Sequence, residues 1–474
     1  MRTEKDSLGR ELLPEDAVYG IHTLRSSLNF PFSGEYINAG LIKAYLYVKK
    51  AAAVTNYNCG VLDKIKYNYV IEAIDVLIDE ADLAEKEEFF SIYDKIIVDP
   101  YQGGAGTSLN MNINEVIANT SLKLMGKQQG EYEIINPIDD INLSQSTNDT
   151  FITALKVASI KSIRQLSSAY AKLQGEFQRK ETEFISIIKL GRTQYQDAVP
   201  ITLGQEFGAY AQAVSRDRWR LYNGEERLRS VNLGGTAVGN SVSADREYVL
   251  NVTSELNKLT GLPLAKAEDF IDSTQNLDVF VEVHGLIKSG AVSLIKICND
   301  LRFISSGPHG GIGEILLPEL QAGSSIMPGK VNPVILENTI QVCELVKGHD
   351  VVISNLVSSG NLELNAFSPL IAHLFLKSAD LLKKVIINLS EKCIAGIKAD
   401  EKKCKEHLMK SSAIAASLIN HLGYDRVTEA VKRSEMEKKF FTQILIEQNL
   451  LSEEEVFQIV SKELGINKEN VNQS

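Results

Sequence analysis

The sequence predicts a mainly all-α protein organised around a central bundle of long helices. Two observations lead there. Apolar residues in the middle of the chain recur at spacings of three and four, which paints one helix face. The stretches so patterned run to about 30 residues, or ~40 Å at 1.5 Å per residue, too long for one compact globule.

In chain order, residues 1 to about 145 mix short helices with irregular Gly-containing segments. Ile163, Leu166, Tyr170, Leu173 and Phe177 form the first long stripe, and Leu203, Phe207, Tyr210 and Val214 form the second, with Leu221 and Leu228 in phase. The third is Phe280, His284, Ile287, Ala291, Leu294, Cys298 and Leu301, ended by Gly307-Pro308. His284 lies within that apolar face and reads as a satisfied core histidine. Two further helices span about 334–356 and about 369–389, and from about Ala399 the chain becomes a smaller, charge-rich helical unit. The expected domains are therefore 1–145, 146–398 and 399–474, with a polar tail, NKENVNQS, as the loose end. Heptad-like faces on such long helices imply helix partners in other subunits.

Composition narrows the function. A formal net charge of −11 argues against a nucleic-acid partner, so an anionic ligand must be held by local positive potential. The five cysteines are dispersed without a CxxC pair, which suggests neither a disulfide framework nor a zinc site. MRTEKDSLGRELLPEDAVYG carries charges of both signs and no apolar core, and no later stretch reaches the ~18 apolar residues of a membrane span. A cytoplasmic protein is expected.

The chemistry concentrates before helices. GSSIMPGKVNP, 323–333, leads into a long helix, with Asn332-Pro333 as its expected start. Gly106-Thr107-Ser108, Ser146-Thr147-Asn148 and GRTQYQDAVP, before a helix expected near Pro200, have the same character. Ser, Thr and Asn in such places commonly cap helices. Capping needs only one of them, however, and runs of hydroxyls beside glycines also form anion sites, suited together to a molecule with more than one carboxylate. Lys330 brings the formal charge to this set, unless it is a solvated surface lysine.

GSSIMPGKVNP resembles the signature of the aspartase/fumarase superfamily, and the resemblance runs from RTEKDSLG to at least HLGYD. YGIHTLRSSLNF, GGAGTSLNMNINEVIAN, KQQGEYEIINP and QSTND are similar to the aspartase branch, and Gln194 stands where fumarases have histidine. The resemblance implies three mostly helical domains, a five-helix central bundle, and a homotetramer whose active sites combine segments of three subunits. It also implies reversible deamination of L-aspartate to fumarate, with Ser324 as the base acting as an alkoxide. Thr107, Ser146, Thr147 and Ser325 would hold the β-carboxylate and the enediolate, Lys330 and Asn332 the α-carboxylate, and Asn148, Thr193 and Gln194 the amino group. No cofactor is required, with magnesium as a possible activator.

Three stretches depart from the family pattern. GNSVSA replaces the usual GTGLN at 239–244, Leu143 stands where a lysine is common, and His309 where arginine is usual. Two alternatives stay open: a fumarate hydratase, and a catalytically silent member.

Overall fold

The structure, a computed structural model, describes residues 1–466 and is mainly helical, with four two-stranded sheets. The tail NKENVNQS lies outside the described residues. Five long helices, Thr147–Glu183, Leu203–Arg227, Asp278–Ile304, Val334–Val357 and Ser368–Lys392, carry the apolar stripes. Among the described residues no helix is long and apolar enough to cross a membrane.

The chain forms two compact units, each assembled from three segments. The first comprises Met1–Ser167, Trp219–Ser289 and Glu344–Leu382. It opens with an antiparallel hairpin, Arg2–Asp6 against Gly9–Leu13, and continues into helices Ile21–Asn29, Ala39–Asn58, Lys64–Glu85 and Thr107–Leu124. Asn38 and Asp63 cap two of these by accepting from backbone N–H groups of the first turn. The 21–29 helix has no side-chain cap of its own. Instead the buried carboxylate of Glu115 accepts from the backbone N–H of Gly20, His22 and Thr23 and from the Thr23 hydroxyl, which fixes the YGIHT segment.

His284 is fully buried in this unit, with Nδ1 3.0 Å from Asp350 Oδ1 and Nε2 3.0 Å from the Ser378 hydroxyl. It is the satisfied core histidine expected from its place on the apolar face.

The second unit comprises Ser168–Arg218, Gly290–Cys343 and Lys383–Ser474. Phe177, Phe184, Phe207 and Tyr210 pack here as a group of tilted and edge-to-face rings. The helices beyond Asp400 close over Leu408, Ile414, Leu418, Phe441, Leu445 and Val460, and Ile188 and Leu190 insert into that same core. GRTQYQDAVP is not a simple helix lead-in. It is an antiparallel hairpin, Ile188–Thr193 against Gln196–Thr202, turning through Gln194 and Tyr195 at φ 53° and 62°. The following helix begins at Leu203 rather than near Pro200, because Thr202 and Gln205 make a reciprocal capping box, each accepting from the other's backbone N–H at 3.0 Å.

Gly106 sits at the N-terminus of the Thr107–Leu124 helix with φ 92°, and a Cβ there would lie 2.2 Å from the Phe151 ring. Gly106→Ala is expected to destabilise the protein by at least about 2 kcal/mol, combining backbone strain with overpacking. Thermal unfolding of the purified variant checks this, and an unchanged melting temperature would contradict it.

Candidate active site

The sequence-predicted residues divide between the two units. Thr107, Ser146, Thr147 and Asn148 belong to the first, and Thr193, Gln194, Ser324, Ser325, Lys330 and Asn332 to the second.

In the first unit, the Thr107–Leu124 and Thr147–Glu183 helices bring Thr107 and the Ser-Thr-Asn run to helix N-termini. Asn110, one turn into the first helix, donates from Nδ2 to the Thr147 hydroxyl at 2.9 Å, so the two segments are tied together. Ser146 and Asp149 form a variant of the capping box, with the Ser146 hydroxyl turned to the second helical residue. The Ser146 hydroxyl accepts from Asn148 N–H at 3.3 Å, and Asp149 Oδ1 accepts from Ser146 N–H at 3.0 Å. The other carboxylate oxygen of Asp149 accepts from Gly234 and Thr236 N–H at 3.0 and 3.1 Å. Asn148 Nδ2 donates to Ala237 O at 2.6 Å, and Asn232 Nδ2 donates to Asn148 O at 3.1 Å. The Ser-Thr-Asn run is thereby bolted to residues 232–237.

Beneath this seam lie two buried charges of opposite sign. Burial pushes the Asp149 carboxyl up to about 6, although three N–H donors and the charge of Lys49 act against the rise. Burial likewise pulls the Lys49 ammonium down to about 7, opposed by Asp149. Lys49 Nζ donates to Asn142 Oδ1 and Gln145 Oε1, both at 2.9 Å. Leu143, where the family commonly has lysine, has its carbonyl engaged by Asn56 Nδ2 and Gln145 Nε2.

In the second unit, Thr193 and Gln194 are exposed at the hairpin tip. The hairpin is anchored by Glu314, which is fully buried. Arg192 reaches its two oxygens as a fork at 3.0 and 2.7 Å, Lys189 Nζ lies 3.0 Å away, and His407 Nδ1 lies 2.9 Å away. Burial pushes the Glu314 carboxyl up, but the Arg192 hydrogen bonds and the Lys189 charge outweigh it and leave it below the usual range.

The loop 323–333 folds on itself. Gly323 N–H donates to Lys330 O at 2.7 Å, and Asn332 Nδ2 donates to Gly323 O, also at 2.7 Å. Asn332 therefore does not cap the next helix, as its position suggested. Its amide closes the loop base, the helix begins at Val334, and the Pro333 carbonyl accepts the first helical hydrogen bond, from Glu337. Gly323 permits the closure, since a Cβ there would lie 2.7 Å from Lys330 O. The Ser324 hydroxyl oxygen accepts from Ile326 and Met327 N–H at 3.2 and 3.0 Å. Ser325 and Lys330 are exposed, and Lys330 has no ion pair among the described residues. No group of three or more His, Cys, Asp or Glu side chains among the described residues is arranged to hold a metal ion.

Comparison with known proteins shows the family. A family model described as Lyase matches residues 9–348. An aspartate ammonia-lyase from Bacillus sp. is 42% identical over 461 residues, spanning 97% of this chain and 96% of that protein. A fumarate lyase:delta crystallin from Brucella melitensis, solved bound to cobalt, superposes with a TM-score of 0.90 at 42% identity, covering 97% of this chain and 98% of that one. A class II fumarase from Schistosoma mansoni gives 0.87 at 29% identity, with coverage of 97% and 98%. The chain belongs to the aspartase/fumarase superfamily of lyases. Within it, the chain is most like the aspartate ammonia-lyases.

Asp149, Lys49, Asn110, Asn142 and Glu314 were not singled out by the sequence. For Asp149 a signal existed: Ser146 followed three residues later by an acid is a capping-box pattern. For the others nothing local distinguishes them.

Glu314→Gln should destabilise the protein by about 3–5 kcal/mol, because Arg192 and Lys189 then lose a buried counter-charge. With its folded pKa depressed, the wild-type carboxylate stabilises above the ordinary glutamate range and loses that contribution as pH falls through the folded value. Melting curves of both proteins at neutral pH and at pH ~4 check this: the gap should narrow in acid, and an equal gap at both would contradict it.

Proposed function

We propose that this chain catalyses the reversible deamination of L-aspartate to fumarate and ammonia, as a carbon-nitrogen lyase. The observation that carries the mechanism is the pair of backbone N–H groups aimed at Ser324 Oγ. Donors directed at a hydroxyl oxygen favour its ionised form, which a serine needs if it is to act as a base.

The Ser324 alkoxide takes the proton from the carbon beside the β-carboxylate, and the electron pair moves into that carboxylate as an enediolate. Thr107, Ser146, Thr147 and Ser325 donate to the accumulating charge. Collapse of the enediolate forms the carbon-carbon double bond and breaks the bond to nitrogen. Lys330 and Asn332 hold the α-carboxylate, and Asn148, Thr193 and Gln194 surround the amino group. The Asn148 assignment is supported by its amide nitrogen being committed to Ala237 O, which leaves the oxygen for an ammonium. The scheme requires no cofactor, and magnesium is assigned at most an activating part.

A homotetramer with sites shared between subunits belongs to the same proposal, as does a cytoplasmic location. Supporting the tetramer are large apolar side chains left exposed on the long helices, among them Val292, Leu345, Val351 and Val352.

The reading is tested by following fumarate absorbance with L-aspartate and with malate. Aspartate should be preferred by at least about tenfold in kcat/KM, whereas faster release from malate would make the chain a fumarate hydratase. Ser324→Ala should lower kcat by at least about 100-fold with the fold retained; a variant keeping a tenth of wild-type turnover would remove Ser324 from the role. Lys330→Ala should weaken inhibition by fumarate roughly 10- to 150-fold, the worth of about 1.5–3 kcal/mol for a charge-assisted hydrogen bond. An unchanged inhibition constant would place Lys330 outside the site.

A further inference from the structure

Lys49 is 1% exposed on the Ala39–Asn58 helix, and its position decides the direction of a chain of hydrogen bonds that ends at Thr147. An ammonium group can only donate. Asn142 must therefore present its amide oxygen to Lys49, at 2.9 Å. That oxygen also receives Asn110 Nδ2 and Asn114 Nδ2, each at 3.2 Å. With one amide hydrogen spent on Asn142, Asn110 gives the other to Thr147 Oγ1 at 2.9 Å. A hydroxyl that accepts from an amide keeps its own hydrogen for an outward partner. Among the described residues the Thr147 hydroxyl has no acceptor.

This polarity leaves a trace. The amide oxygens of Asn110 and Asn114 are both buried without a hydrogen-bond partner. Such orphaned acceptors are uncommon and need a cause. Turning the Asn110 amide over would not relieve the strain, since it would set its oxygen against Asn142 Oδ1. The cause is the donor-only group at the head of the chain. A deprotonated Lys49 would still keep two N–H groups, enough to serve Asn142 and Gln145 in the same sense.

We propose that Lys49 is a positioning residue for the lyase reaction, acting through Asn142 and Asn110 to fix the Thr147 hydroxyl as a hydrogen-bond donor toward the substrate carboxylate. This rests on the reading that Thr147 holds the β-carboxylate. Lys49 touches no reacting atom, and its whole effect passes through Thr147.

That last property makes the proposal testable by a double-mutant cycle of Lys49→Met and Thr147→Val, reading kcat and KM for aspartate and the fumarate dissociation constant by calorimetry. Each single variant should lose about 100-fold in kcat/KM, the scale of one oxyanion donor, chiefly in kcat. The double variant should be within about twofold of Thr147→Val alone, because the relay has nothing left to orient. Losses that multiply would overturn the proposal and leave Lys49 with a purely structural part. If Lys49→Met does not fold, Asn110→Ala cuts the same chain without removing a buried charge, and the same non-additivity with Thr147→Val is expected. A wild-type protein that forms no fumarate from aspartate overturns the substrate assignment alone. The cycle is then read on fumarate binding, where non-additivity supports the relay and multiplying losses overturn it.

Discussion

Asp149 and Lys49 are both enclosed, and burial disfavours the charge of each while the surroundings partly compensate it. Asp149 has three backbone N–H donors and Lys49 has two amide oxygens, so neither depends wholly on the other for its hydrogen bonds. The segments they gather come from distant parts of the chain: residues 142–149, the first turn after Gly106, and the 232–237 loop. Hydrophobic packing sets these elements side by side but does not say which way an amide or hydroxyl faces. Buried charges do, because donor-only and acceptor-only groups propagate their sense through every neutral group between them. Removing one member would strand its partners in a dry interior, which is why the polar seam is confined to a small region of otherwise apolar helices.

The second unit uses the same device in another form. Glu314 gathers Arg192, Lys189 and His407 around one buried carboxylate, and so ties the root of the hairpin bearing Thr193 and Gln194 to the C-terminal helices. The hairpin tip and the 323–333 loop, by contrast, are held by short-range hydrogen bonds and stay exposed. Rigid support beneath a freely accessible set of hydroxyls and amides suits a reaction in which charge develops on a small dicarboxylate.

Much of this was legible in the sequence where the information is periodic. The stripes from Ile163 to Phe177 and from Phe280 to Leu301 are buried faces of long helices, as their spacing required, and His284 is satisfied among them. The runs at Thr107-Ser108 and Ser146-Thr147 do stand at helix N-termini, whereas Ser324 and Ser325 lie in the loop that precedes the helix from Val334. What spacing could not show is which side-chain oxygen or nitrogen meets which partner. Asn332 looks like a cap and instead closes a loop, because Gly323 O lies within reach of its amide. GRTQYQDAVP hides a tight turn, since Gln194 and Tyr195 adopt positive φ without the glycine or asparagine that normally announces it. Lys49, Asn110 and Asn142 are far apart in sequence and ordinary one by one. Their role exists only once three helices and a loop bring them together.

Catalysis as proposed depends on donors arranged for an enediolate rather than for the resting substrate. This dependence is tested most directly by measuring the dissociation constants of 3-nitropropionate as its nitronate, which reproduces the planar carbon and the two anionic oxygens of the enediolate, and of succinate, which does not. A site organised in this way should bind the nitronate at least about 100-fold more tightly, as expected of an analogue of the transition state. Equal affinities would mean that the hydroxyls and amides assigned to the substrate recognise two carboxylates and nothing more, and the mechanism built on them would fail.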